Sequence, residues 1–394
     1  MIALSAAQQL AIEQAKSFGK EKISLNDATG RVLNQSIIAD RDYPPFNRAT
    51  MDGIAINYTD WKNGTNSFIV TETIFAGKKN TKEIQPGECY KIMTGAAVPP
   101  AANTVIRRED LQDVENRLQI TVSDITEGQN IAGKGTDINN ATVIIQSNKT
   151  IKPGTVTTLA SLGYDVIEVE KLPTVSIITT GDEVVNINEP VNEVQIRNSN
   201  AALLKSLLEQ WKIQPKSCKH IADDEPLLTE AIEKQLQSDI IIMSGAVSAG
   251  DADFVPAVLG KMGAEQIFHK VAIRPGKPIW FGKFKNGPVV FALPGNPFST
   301  FVTFKLFIER FLKKSFRLQD DNWFHLPFEG SRTKKTNLDE FFPVQLNTHP
   351  ASIAPLPFNT SGDITAMLFA DALAMQPIDQ KTINKGDLIK TLLL

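Results

Sequence analysis

The run TVSIITTGDEV, from Thr174 to Val184, decides the fold. Its first seven residues are apolar or β-branched apart from one serine, with no sustained polar alternation. A strand with one wet face alternates, whereas a strand covered on both faces reads as a continuous apolar run. The stretch therefore reads as a buried strand, ended by Gly181 and followed by the acids Asp182 and Glu183. Buried strands of this kind belong to open sheets with helices on both sides.

Downstream the pattern repeats. NSNAALLKSLLEQW places Leu203, Leu204, Leu207, Leu208 and Trp211 at helical spacing, with Asn198, Ser199 and Asn200 as candidate caps. A second helix is expected from Glu225 to Gln237, then a buried strand over 239–243 in DIIIMSG. A short helix is expected to begin near Ala252. KVAIRPGKPIWFGKF reads as strand, basic turn, strand, and PVVFALPGNPFSTFVTFKLFIERFLKK as a strand over 288–293 and a helix over 297–313. Residues 173–315 are thus expected to form a doubly wound parallel α/β sheet.

The flanks differ. Residues 41–137 have weak helical period, many glycines and prolines, and short β-rich runs, which predicts a small β domain. Residues 1–40 and 138–172 are expected to form a helical linking domain. Its first helix is capped by Ser5, and TVTTLASLGYDVIEVE supplies a helix and a strand that return the chain to the sheet domain. Residues 316–394 predict a terminal β-barrel.

Composition narrows the function. The chain has 394 residues, 42% hydrophobic and 22% charged, with net charge −3. Two to four domains are expected, and no basic excess suggests nucleic acid as a partner. No apolar run reaches a membrane-spanning length, and the N-terminus lacks the features of a signal peptide, so a cytoplasmic protein without a membrane span is expected. Cys89 and Cys218 read as buried free thiols. Only four histidines are present, so any metal should be hard and held by oxygen.

In an open α/β sheet, ligands bind beyond the carboxyl ends of the strands. Three strings fall there: TTGDEV with Glu183; SGAVSAGDADF with Ser244, Gly245, Ser248, Gly250, Asp251 and Asp253; and LPGNP from Leu293 to Pro297. Backbone N–H groups of the second string suit a phosphate, or the string is an ordinary connecting turn. LPGNP is either part of a site or simply a well-capped helix start. RPGKP holds Arg274 and Lys277 in a rigid turn, with Lys270 four residues before the first; it is a solvated bend or an anion clamp. Carboxylates and cations at one place suit a phosphorylated ligand with Mg²⁺, which takes one or two acids plus phosphate oxygens. A further string, PPFNRATMDGIA from Pro44, sets Asp52 among Phe46, Met51 and Ile54, as a pocket wall would.

Taken in order, these strings resemble the molybdopterin molybdenumtransferase family (MoeA, and the E domain of gephyrin). FNRATMDGIA, KIMTGAAVP, GQNIAGKGTDI, TTGDEV, IRNSN, SGAVSAGDADF, VAIRPGKP and LPGNP follow the family's motifs over nearly the whole chain. The resemblance implies Mg²⁺-dependent insertion of molybdate into adenylylated molybdopterin, with release of AMP. It implies site roles for Asp52, Thr94, Asp137, Glu183 and Asp253, with Asp223 a looser match. Asp52, Glu183 and Asp223 are the candidate metal ligands, and Asp253 and the glycine-rich loop would hold the nucleotide-pterin side. Lys270, Arg274 and Lys277 match the family's basic positions, Pro294 and Pro297 its PGNP turn, and Ser361 a serine of the terminal domain that meets the pterin. It also implies a homodimer with shared sites, and as partners a MogA-like adenylyltransferase and molybdoenzyme apoproteins. The chain departs from the pattern at Ala49, Thr136, Asn198 and Ala246, and has Leu338 and Pro343 where arginines are expected. The competing readings are a MogA-like molybdopterin adenylyltransferase and a catalytically weakened scaffold of the same fold.

Overall fold

The structure is a computed structural model that describes residues 1–247, 254–319 and 323–394. The chain divides into two compact units. One comprises Met1–Asn34, Asn148–Pro153 and Val166–Leu394; the other comprises Gln35–Ser147 and Gly154–Asp165.

The first unit is built on a six-stranded sheet. Its order is Ser217–Ile221, Val175–Thr180, Ile240–Ser244, Val289–Leu293, Trp280–Lys283 and Glu265–His269. The first four strands are parallel. Trp280–Lys283 is antiparallel to both of its neighbours and so runs against the other five strands, a departure from the parallel sheet expected. The reason is connection length: the turn from His269 to Trp280 is too short for a parallel crossover, which takes a dozen or more residues. Every residue of Val175–Thr180, Ile240–Ser244 and Val289–Leu293 is buried. Alternate side chains serve two cores. Ile177, Ile242 and Phe291 join one, while Ile178, Ile241, Met243 and Val290 join the other. That division is what a sheet wound with helices on both faces requires.

Helices follow the apolar spacing. Ser199–Glu209 buries Leu204, Leu207 and Leu208, and Asn198 is the cap that the structure selects. Glu225–Glu233 is capped by Asp224 and ends earlier than expected. The next described helix is Val255–Lys261; the expected start near Ala252 lies outside the described residues. The helix from Pro297 runs to Ser315, with a π-helical segment at Phe304–Ile308. Within it, Lys305 and Glu309 form a buried ion pair at 2.7 Å. The first helix is Leu4–Glu13, with Ala3 at the cap and no side-chain cap bond, so Ser5 is not its cap. Leu4, Ala7 and Ala11 enter the sheet core, and burial of that stripe rather than a hydroxyl sets the start. Val166–Glu170 does return the chain to this unit, but it pairs with Lys20–Ser24 rather than with the six-stranded sheet.

The terminal domain has strands ordered Ile273–Arg274, Asp339–Thr348, Ala372–Gln376, Leu388–Leu393 and Trp323–Pro327, with Ala351–Pro355 beside Asp339–Thr348. A bridge between Phe328 and Ile353 closes this array into a barrel. Ile273–Arg274 comes from the RPGKP turn and pairs in parallel with Asp339–Glu340, so the basic turn is tied directly to the barrel.

The second unit contains a six-stranded sheet in the order Thr104–Arg107, Gly53–Ile56, Glu88–Ile92, Ser67–Ile74, Arg117–Ile120 and Leu111–Val114. Cys89 is buried here, its thiol pushed up to about 12 by burial, while Cys218 of the first unit is only half-buried. Among the described residues no helix is long and apolar enough to cross a membrane.

Candidate functional site

Three of the strings end together at the carboxyl edge of the parallel strands. They line a cleft of 1350 Å³, whose far wall is the terminal domain. Ser244 closes its strand with a buried hydroxyl that accepts from Asn200 Nδ2 at 2.9 Å and donates to the Pro294 carbonyl at 3.3 Å. Asn200 also donates to the Gly295 carbonyl at 2.6 Å. These bonds tie the helix start, the Ser244 loop and LPGNP into one floor. Gly245 has φ 113°, and a Cβ there would lie 2.6 Å from the Thr180 carbonyl oxygen, so only glycine lets the two strand ends approach. Asn198 caps its helix by accepting from Ala201 N at 3.0 Å and donates to Thr179 Oγ1 at 2.8 Å.

The LPGNP string starts a helix, with Asn296 at the cap position and Pro297 in the first turn. The Asn296 side chain makes no cap bond. Its Nδ2 instead donates to Ser361 Oγ at 2.8 Å, while the Ser361 carbonyl accepts from Phe298 N at 3.2 Å. Pro294, Pro297 and Ser361 all line the cleft. Ser361 is thus fixed on the helix start by two bonds.

The acids occupy one wall. Glu183 and Asp223 line the cleft, and Asp182 Oδ1 accepts from Asp223 N at 2.9 Å. Burial pushes the Asp223 carboxyl up, and the negative charges of Asp182 and Glu183 push it further. Its Oδ1 is buried without a hydrogen-bond partner. An unpartnered carboxylate oxygen beside two further acids is an environment that a hard dication relieves, so these residues fit Mg²⁺ held by one or two carboxylates plus ligand oxygens. Among the described residues no group of three or more His, Cys, Asp or Glu converges to ligate a metal.

Cations face them. Arg274 and Lys277 are exposed and line the cleft; Lys270 does not line it. The terminal wall adds Arg332, Lys334 and Lys335, which the motif strings did not reveal. Glu340, 4% exposed, pairs with Arg332 and lies 3.8 Å from Arg274. Arg332 also lies over the Phe342 ring at 4.4 Å. Lys334 Nζ donates to the Leu338 carbonyl at 2.8 Å, and burial pushes its ammonium down. The basic run SRTKK was the available signal for this wall. Leu338 also lines the cleft.

The second unit gathers the other strings around 43–52. Asp52 Oδ1 accepts from Thr94 N at 2.6 Å and from Thr94 Oγ1 at 2.7 Å. Those two bonds, the amide first, hold its carboxyl below the usual carboxylate range. Gly53 follows because the strands leave no room: a Cβ would sit 1.8 Å from the Ile106 carbonyl oxygen. Asp137 is exposed, its amide donating to the Tyr43 carbonyl at 2.9 Å, and Lys134 N donates to Asn47 Oδ1 at 3.0 Å. MDG, MTG and GKGTD therefore meet along one segment. Ile54 is buried in its strand, whereas Phe46 and Met51 stand exposed beside Asp52. Ser248, Gly250, Asp251 and Asp253 lie outside the described residues.

Comparison with known proteins agrees in order and extent. Residues 2–163 match the MoeA N-terminal region (domain I and II), 176–314 the molybdenum-cofactor biosynthesis family described as a probable molybdopterin binding domain, and 326–394 the MoeA C-terminal region (domain IV). A molybdopterin molybdenumtransferase of Synechocystis sp. is 30% identical over 393 residues, covering 98% of each chain. One from Staphylococcus aureus is 29% identical over 404 residues, covering 100% of this chain and 95% of its own. The crystal structure of a molybdopterin biosynthesis moeA protein from Pyrococcus horikoshii superposes with a TM-score of 0.85 at 26% identity, covering 100% of both chains.

Proposed function

The chain belongs to the MoeA family of molybdopterin molybdenumtransferases, and from that premise we propose that it inserts molybdate into adenylylated molybdopterin and releases AMP. The observation that carries this reading is the cleft itself: Glu183 and Asp223 share it with Arg274, Lys277 and Lys335. Such a site suits a ligand with a phosphoanhydride and an incoming oxyanion, because cations bind the anionic oxygens and acids hold a hard metal.

Arg274 and Lys277 bind phosphate oxygens of the substrate, and Lys335 adds a third charge from the terminal domain. The Ser244–Gly245 turn presents backbone beside them. Glu183 and Asp223 would hold Mg²⁺, which supplies charge neutralisation where the phosphoanhydride breaks. Asp52, whose carboxylate accepts two hydrogen bonds from Thr94, is the acid of the second unit assigned to molybdate and metal handling. The protein is proposed to act as a cytoplasmic homodimer, taking substrate from a MogA-like adenylyltransferase and passing product to molybdoenzyme apoproteins.

The adenylyltransferase reading would leave the Asp52–Thr94 arrangement without a use, and the weakened-scaffold reading leaves the same acids without one. Asp52→Ala and Glu183→Ala test the assignment. Each variant should fold, as judged by circular dichroism and melting, and lose molybdate-dependent turnover by about 10²-fold or more. Normal turnover in both removes these acids from the mechanism.

A further inference from the structure

Elsewhere in the first unit, the helix Leu4–Glu13 and the long helix that ends at Ser315 pack together. Just past their ends the buried Phe316 ring meets Phe18 edge-on at 6.4 Å and stacks with Trp211 at 6.0 Å between centroids. The same two ends line a separate cavity of 430 Å³, with Lys16 and Ser17 from one and Lys314, Ser315, Arg317 and Leu318 from the other. It shares no lining residue with the cleft. Lys16, Lys314 and Arg317 are exposed, and no acid lines the cavity. Among the described residues none of these three cations is paired with a carboxylate. Glu13, one turn before Lys16, instead accepts from Gln9 at 2.8 Å.

Cations in the last turn of a helix ordinarily answer its unpaired carbonyls. Here the backbone does part of that. Leu318 N donates to the Lys313 carbonyl at 2.8 Å and Arg317 N to the Lys314 carbonyl at 3.1 Å, the closure that ends many helices. Arg317 takes φ 55° at the position that glycine most often fills in this closure. The hydroxyls differ. Ser17 Oγ is engaged, accepting from Gly19 N at 3.2 Å and donating to Glu170 at 3.5 Å. Ser315 is 2% exposed, and among the described residues its Oγ has no hydrogen-bond partner. A serine in a helix commonly returns its hydroxyl to a carbonyl one turn back, and a buried hydroxyl left unpaired is costly. A donor without an acceptor, beside three unpaired cations, is the arrangement that an anion completes.

We propose that this cavity is a second binding site, for a tetrahedral oxyanion such as phosphate or molybdate. Ser315 Oγ donates to one anion oxygen, Arg317 presents its planar fork to others, and Lys16 and Lys314 supply charge from the two helix ends. The site is separate from the cleft, so it stands whether or not the cleft carries the proposed reaction.

The test is hydrogen exchange of the whole protein, read over residues 14–18 and 313–318, as inorganic phosphate or molybdate is titrated against chloride at constant ionic strength. Asp320 and Asp321 follow outside the described residues, so the full chain is used with both acids in place. One or both oxyanions should slow exchange in the two segments while chloride does not, and the lower midpoint names the preferred occupant. Ser315→Ala should melt no lower than the wild type, since it deletes an unpaired buried hydroxyl, yet need about tenfold more anion. Lys16→Gln combined with Arg317→Gln should raise the midpoint about tenfold or more, whereas Arg274→Gln in the cleft should leave it unchanged. The site is overturned by no protection with either oxyanion or by equal protection with chloride. It is also overturned by a midpoint that Ser315→Ala leaves unmoved, or by protection that Arg274→Gln abolishes.

Discussion

At the residue scale, position 53 shows how a motif letter gets its physical cause. Asp52 was readable from sequence as a lone acid in an apolar loop. The need for glycine after it was not, because it comes from the Ile106 carbonyl on a strand some fifty residues away. Gly53→Ala must push two paired backbones apart. A loss of about 3 kcal/mol is expected in urea unfolding, at the upper end for overpacked sites. A loss below about 0.5 kcal/mol, the usual range for surface changes, would mean that the strands do not approach this closely. Lys270 shows the opposite case. Its spacing from Arg274 suggested a third clamp residue, but Lys270, just past the end of Glu265–His269, does not line the cleft, and the barrel supplies Lys335 instead.

At the element scale, Asn198 is the most informative departure. The family pattern has aspartate there, and both residues are good helix caps. Asn198→Asp should keep the cap and lose only the Nδ2 donation to Thr179, whereas Asn198→Ala should lose both, about 1 kcal/mol for the cap and a further loss from the Thr179 bond. Equal stability of wild type and Asn198→Ala would show that the cap contributes nothing. The barrel strand Asp339–Thr348 gives a pH prediction. Burial tends to raise the Glu340 carboxyl, but the Thr336 hydroxyl and the Arg332 and Arg274 guanidiniums outweigh it, and the net shift is downward. A carboxyl lowered in the folded state stabilises above its unfolded pKa and loses that contribution as pH falls through the folded value. Stability should therefore decline as pH drops below about 4, and Glu340→Gln should flatten that decline while lowering stability at neutral pH. An unchanged pH slope in the variant would remove Glu340 as its source.

For the whole molecule, the buried strands, the capped helices and the two β-rich regions were legible because periodicity and turn residues are local. The antiparallel edge of the sheet, the pairing of Val166–Glu170 with Lys20–Ser24, and the basic wall of the barrel were not, because pairing partners are set by packing across the chain. The site followed the same rule. Motifs gave the acids and the RPGKP turn, while Arg332 and Lys335 appeared only once the barrel stood beside the sheet. In the proposed function this cleft couples molybdate to cleavage of adenylylated molybdopterin. The most direct measurement is AMP release from adenylylated molybdopterin bound to the purified protein, followed by chromatography before and after molybdate is added. Little AMP is expected before molybdate, prompt release after it, and release slowed about 10²-fold in Glu183→Ala. No AMP release, or release at the same rate without molybdate, would contradict it.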